Sequence, residues 1–185
     1  MKSLEFQVAE KTLFLLDKYD FNKITVSMVL KSLKKKKNNN FQIKDKIYLL
    51  KSINNYFDKK LIKISESIEK STTKDMIFEL LMVRFDILNE HRSAVIKIYE
   101  YFKKNPNFFV SLLPDFINSI DLITSIAKMK KNKKSLNFIK LNGLLVIYFA
   151  AFLTWKNDKN SSLDKTMNTL HKYLNDSERV LKLIS

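Results

Sequence analysis

The chain has 185 residues, 45% of them apolar, with one Gly, two Pro, no Cys and a net charge of +15. That is enough for one domain, or for a small domain joined to a larger one. Hairpins, dinucleotide-binding turns and phosphate-cradling loops draw on turn residues and glycine, which this chain almost lacks, and disulfides, thiolate nucleophiles and zinc–thiolate sites need cysteine; the first group is disfavoured, the second is excluded, and long helices remain.

The charge points to an anionic partner, either nucleic acid or a membrane surface. The abundance of Lys, Asn and Ile beside scarce Arg fits equally the codon bias of an AT-rich genome. The opening MKSLEFQVAEK carries Glu5 and Glu10 inside its apolar pattern and lacks the apolar core of a signal peptide. The longest apolar run, 143–153, falls short of the ~20 residues that cross a bilayer. The expectation is a cytoplasmic protein with no membrane span.

In chain order, Phe6, Ala9, Leu13 and Leu16 predict a first helix over 4–18. After the break at Tyr19–Asn22, Thr25 or Ser27 caps a short helix through Leu33, with Val26, Val29, Leu30 and Leu33 inward. The run Lys34–Asn40 cannot be buried, and Phe41-Gln42-Ile43 brings two apolar anchors. A long helix follows from the cap Asp45 to about Ile68. Ser71-Thr72-Thr73 opens another over 74–90, whose narrow polar edge predicts that other helices surround it. Residues 92–104 form a helix ended by Asn105-Pro106, and 107–129 are helical with an interruption at Pro114. Residues 130–134 are a solvated basic loop, and 136–155 a helix apolar all round from Gly143. In 162–184 the positions Leu163, Met167, Leu170, Leu174, Ser177, Leu181 and Ile184 make a seam for packing against another helix. With Leu145 this seam predicts the interface of a homodimer built as a two-fold four-helix bundle; purely internal packing is the alternative.

The fold class is therefore all-α: a helix-turn-helix segment, 1–46, leading into the linking helix, and a helical ligand-binding and dimerisation body, 47–185. In a helix-turn-helix module the second short helix lies in the major groove. Here that element is about Asn38 to Ile43. Asn and Gln pair bidentately with adenine, and lysines meet phosphates or guanine. Asn38, Asn39, Asn40 and Gln42 are thus candidate base readers, and Lys34, Lys35, Lys36, Lys37, Lys44 and Lys46 candidate backbone contacts. Thr25 and Ser27 complete the DNA-binding set. Residues 1–70 hold 16 Lys against 8 acidic residues, a net of +8. The alternative is a low-complexity loop that has lost its reader.

The segment Ile24–Phe57 resembles a degenerate TetR-family DNA-binding domain: Ile47-Tyr48-Leu49-Leu50 after Lys44-Asp45-Lys46 is similar to the opening of that family's fourth helix. The family's small-Gly-Val-Ser turn is replaced by Lys34–Lys37. In the body, Arg84-Phe85-Asp86 with Leu88, His91 and Arg92 resembles a stretch of an alphaproteobacterial group of TetR-type regulators. So does the ending formed by Gly143-Leu144, Tyr148, Trp155, Asp158, Thr166-Met167 and Leu170. The pattern is shared more loosely with the COQ9 family, a TetR fold that binds lipid for ubiquinone synthesis. The resemblance implies an effector-responsive repressor acting as a homodimer on double-stranded DNA, or a COQ9-like lipid binder.

Arg84 lies on an apolar stripe between Leu80 and Leu88 and needs an anionic partner, either a ligand carboxylate or phosphate or a neighbouring acid. With Met82, Phe85, Tyr99, Phe102, Phe116, Tyr148, Phe149 and Phe152 it forms a candidate pocket for a small apolar effector or lipid, or simply core. His91 and His171 lack a second ligand at helical spacing and read as surface or capping residues, so no metal is expected. No cofactor and no catalytic set stands out, and the expectation is that the protein is not an enzyme.

Overall fold

The computed structural model describes residues 3–33, 43, 45–129 and 134–184, and for 134–137 and 178–184 the backbone alone. Lys34–Lys37, Asn38–Asn40, Gln42 and Lys44 lie outside the described residues, as does the side chain of Leu181. The described residues form α1 (Leu4–Lys18), a 3-10 turn (Phe21–Lys23), α2 (Val26–Ser32), α3 (Lys46–Ser65) and α4 (Thr73–Glu90). After these come α5 (Arg92–Lys104), α6 (Pro106–Ile126), α7 (Lys134–Asn157) and α8 (Asp164–Ile184). The expected all-α architecture is thus observed.

The chain gathers into two compact units that are interleaved in sequence, Met1–Ile62 with Ile87–Asp115, and Lys63–Asp86 with Phe116–Ser185. Residue 46, the expected boundary between segments, falls inside the first unit.

In the first unit α1 starts where the Ser3 hydroxyl accepts from the Phe6 amide at 3.3 Å. It turns Val8, Ala9, Leu13 and Leu16 into the core. Thr12 is buried with them because its hydroxyl donates to the Val8 carbonyl at 2.8 Å, which removes the penalty of an unmade bond. At the far end Lys97 of α5 donates to the Leu16 carbonyl at 2.5 Å, satisfying a terminal acceptor with a cation at the negative pole of the helix. α1 packs against α2 and α5. Thr25, rather than Ser27, caps α2, accepting from the Met28 amide at 3.3 Å. Asp45 caps α3 as expected, accepting from the Tyr48 amide at 2.8 Å.

The expected interruption at Pro114 does not occur: α6 continues through it from Pro106 to Ile126. A proline removes the hydrogen bond to the carbonyl four residues back, here Val110. Pro114 is exposed and Val110 is 60% exposed. The orphaned carbonyl therefore lies on the watered side of the helix, where its loss is tolerable. Pro106, in contrast, is the first residue of α6, the position where a missing N–H costs least.

In the second unit α7 packs along α8. α7 buries Leu144, Tyr148, Ala151 and Trp155 at 4-3-4 spacing, and α8 answers with Thr166, Leu170 and Leu174, following the buried Leu163 just before it. The connection between the two helices is fixed by Asp158. One carboxylate oxygen accepts from the Thr166 amide at 2.9 Å and from its hydroxyl at 3.0 Å; the other accepts from the Asn160 amide at 3.3 Å. Leu163, the last residue before α8, takes a left-handed φ of 53°, which costs a non-glycine residue about 1 kcal/mol. Its complete burial helps hold it there.

α6 and the stretch Phe138–Asn157 of α7 are each long and apolar enough to cross a membrane by length and composition. The sequence expectation judged only unbroken apolar runs and so missed both.

Candidate functional site

The basic N-terminal segment and the aromatic interior of the second unit are the two candidate sites. In the first, Thr25, Ser27, Lys23 and Lys31 are exposed around α2. Lys23 and Lys31 were missed by sequence reasoning, which looked to the denser lysine run. Their signal was one helical turn of spacing from Ser27 for Lys31, and adjacency to the Thr25 cap for Lys23.

Lys46 corrects the expectation of a lysine facing the DNA backbone. Its amine donates to the Phe21 carbonyl at 3.0 Å and the Asn22 carbonyl at 2.7 Å. It lies 5.4 Å from the centre of the Phe21 ring and 5.6 Å from that of Tyr101. Burial lowers its pKa, because removing water disfavours the ammonium form. The side chain ties the start of α3 to the 3-10 turn, whose Phe21 is fully buried edge-on to Tyr101.

Three further lysines of α3 pair with acids in the same unit. Lys59 pairs with Glu5 at 3.1 Å, Lys51 with Asp115 at 3.3 Å, and Lys60 with Glu90. Burial alone would lower the Lys60 pKa, but the hydrogen bond and charge of Glu90, with Tyr56, raise it overall. His91, expected at the surface or as a cap, stands just before α5 and makes no side-chain cap bond. Its ring is half-buried between Tyr56 and Phe57, with Nε2 3.3 Å from the Tyr56 hydroxyl. Burial and then the charge of Lys60 lower its pKa, against smaller opposing effects of Glu90, Asp17 and Glu10.

In the second unit Arg84 is buried, as its stripe predicted. Its Nε donates to the Tyr148 hydroxyl at 3.3 Å, and the guanidinium carbon lies 5.6 Å from the centre of that ring. Phe85 stacks on Tyr148 at 5.4 Å. Phe149 joins Tyr148 to Phe116, and Phe152 meets Trp155. Met82 is half-buried on α4. Tyr99 and Phe102 belong instead to the first unit, where Phe102 meets Phe109 at 5.8 Å and Tyr99 takes Lys103 over its ring. Trp155, fully buried, was absent from the expected set.

The expected dimer seam is placed inside the chain. Among its described residues, Leu145, Leu163, Leu170 and Leu174 are at most 7% exposed and Met167, at 37%, is open. The 4-3 spacing marked the contact of α8 with its own α7, which has the same geometry as a contact between copies. His171 is exposed on α8, with Nδ1 3.2 Å from the Asn175 amide nitrogen. Among the described residues no three metal-ligating side chains converge.

No family model matches the chain and no curated protein does. A solved structure does: the TetR transcriptional regulator from Nitrosomonas europaea superposes with a TM-score of 0.73. The superposition covers 94% of this chain and 97% of that one, at 14% sequence identity. The likeness spans both units from end to end, and the chain has the TetR-type fold.

Proposed function

We propose that the protein is a DNA-binding transcriptional regulator of the TetR type, an effector-responsive repressor that works as a homodimer in the cytoplasm. The observation that carries this reading is the end-to-end likeness to a TetR regulator in a chain whose residues 1–70 hold a net charge of +8. Phosphate contacts supply affinity without sequence information. Exposed Ser27, Lys23 and Lys31, with Lys34–Lys37, Lys44, Asn38–Asn40 and Gln42, are the contacts assigned to DNA. The aromatic interior around Arg84, Phe85 and Tyr148 is the assigned place for a small apolar effector, whose binding biases the equilibrium between DNA-competent and incompetent states.

A gel-shift with duplex DNA from upstream of the gene, at two salt concentrations, tests this. Binding that weakens steeply with salt is expected; no shift on any duplex at low salt refutes it. A second reading, a COQ9-like lipid binder with a degenerate reader, is favoured by the apolarity of α6 and α7, of which about a third or less is buried. Delipidated protein that takes up no isoprenoid or fatty acyl ligand rules that reading out.

A further inference from the structure

We infer that His91 is a proton-operated latch: as the neutral imidazole it holds α3 to the joint between α4 and α5, and as the imidazolium it leaves that seat and frees α3. α4 ends at Glu90 and α5 begins at Arg92, so His91 alone makes the joint. Its backbone leaves the helical range there. Its amide still donates to the Leu88 carbonyl at 3.1 Å, and its carbonyl accepts from the Val95 amide at 3.0 Å. The joint is thus fixed to both helices, and the ring is what reaches α3. The ring centre lies 5.6 Å from that of Tyr56 and 6.0 Å from that of Phe57, both of them buried. Tyr56 in turn meets Phe6 of α1 at 4.7 Å. One imidazole therefore closes a contact that runs from α1 through α3 to the α4–α5 joint, all within the first unit.

The seat favours the neutral ring. Nε2 lies 3.3 Å from the Tyr56 hydroxyl. The same hydroxyl bonds to the Lys60 ammonium, which stands 5.4 Å from the centre of the Tyr56 ring. An ammonium can only donate, so the hydroxyl oxygen accepts from Lys60 and its proton is left for Nε2. A neutral imidazole takes that proton. An imidazolium has no lone pair to take it with, and it brings a second cation to the same oxygen. Lys60 on α3 opposes that second charge, while Glu90 on α4 and Glu10 and Asp17 on α1 favour it. Glu90 is already paired with Lys60, and Arg92, the next residue in the chain, donates to Asn89 at 2.8 Å. Burial and Lys60 prevail, and the folded ring is held below its ordinary 6.5. The ring is only half-buried, so once protonated it has a way out to water. A proton binds the released ring better than the seated one, and each pH unit between the two values shifts the balance towards release about tenfold in acid. α3 begins directly after the residues assigned to DNA, so release makes acid weaken DNA binding, a consequence that rests on the regulator reading above.

The chain has two histidines, so proton NMR of the full-length protein follows both rings, and His171→Gln identifies the one that remains. His91 is expected to titrate below 6.5, and Lys60→Gln, which also frees Glu90, to raise its midpoint towards that value. Amide exchange, corrected for the intrinsic effect of pH, should show the α3 amides around Tyr56 losing protection about tenfold as His91 protonates. His91→Gln should remove that loss. The wild-type titration and Lys60→Gln leave the ring in place, so the latch is tested even where His91→Gln fails to fold. A His91 midpoint at or above 6.5, or a titration that leaves α3 equally protected, overturns the latch. DNA affinity is then measured at fixed salt on either side of the midpoint. Weaker binding in acid that His91→Gln abolishes supports the latch and its link to DNA. An affinity independent of pH while α3 is released overturns that link. Release of α3 in a protein that binds no duplex at either pH supports the latch and removes the regulator.

Discussion

A lysine in a basic segment invites a phosphate as its partner, yet Lys46 gives its protons to the carbonyls of Phe21 and Asn22. Which anion or dipole a lysine meets depends on what the fold brings within reach of its flexible stem, and residue type carries no such information. Asp158 makes the same point for an acid. Burial pushes its pKa up, but the amide and hydroxyl of Thr166 and the amides of Asn160 and Lys165 outweigh that and lower it below its ordinary 3.8. Replacing it by Ala strands several donors at the start of α8, and Asp158→Ala is expected to cost about 2 kcal/mol in urea unfolding. The contribution is complete above pH 3.8 and is lost as pH falls through the lower folded value. For His91 the sign is opposite in chemistry but similar in direction. Its folded pKa is lowered, so the unfolded chain binds a proton that the folded chain refuses. Stability is full above the ordinary value of 6.5 and declines as pH falls from there towards the folded value. His91→Gln should flatten that part of the pH–stability curve; an unchanged slope between wild type and variant would count against the assignment.

At the scale of elements, α1 was legible over 4–18 because its apolar residues stand at helical spacing, and the structure adds the cap at Ser3 that agrees with it. The cap Asp45 was legible, and the cap of α2 was narrowed to Thr25 or Ser27, because such oxygens act locally, within three residues. Pro114 was misread because a proline rule states the cost of a missing hydrogen bond without saying whether the rest of the helix outweighs it. Twenty-one residues of α6, several of them packed into the core, do outweigh it. Pro114→Ala restores the bond to the Val110 carbonyl in an already straight-through helix, and should raise unfolding stability by about 1–3 kcal/mol. A less stable variant would show that the ring is required where it stands. The seam of α8 was found as an apolar stripe, and α7 of the same chain packs along its buried part, Leu163, Leu170 and Leu174, since knobs meet holes alike within a chain and between chains.

For the whole molecule, the charge of +15 bears on partners rather than on fold. If the N-terminal lysines reach phosphates, replacing Lys34–Lys37 with Ala should weaken DNA binding across all sequences. It should also reduce the slope of log affinity against log salt by about 0.9 for every phosphate no longer neutralised; an unchanged slope would place the DNA-binding surface elsewhere. By itself the sequence determined that this protein is all-α, where most of its helices start, that Arg84 is buried, and that α7 and α8 are apolar enough to need partners. These follow from local propensity and from periodicity, which are written along the chain. Only the tertiary structure decided that α6 runs through Pro114, that Lys46 turns inward, that α7 packs along the buried part of the α8 seam, and that His91 is seated between Tyr56 and Phe57. Each of those depends on which surface a distant segment covers, and burial by a distant segment leaves no mark on the residues that flank it in sequence.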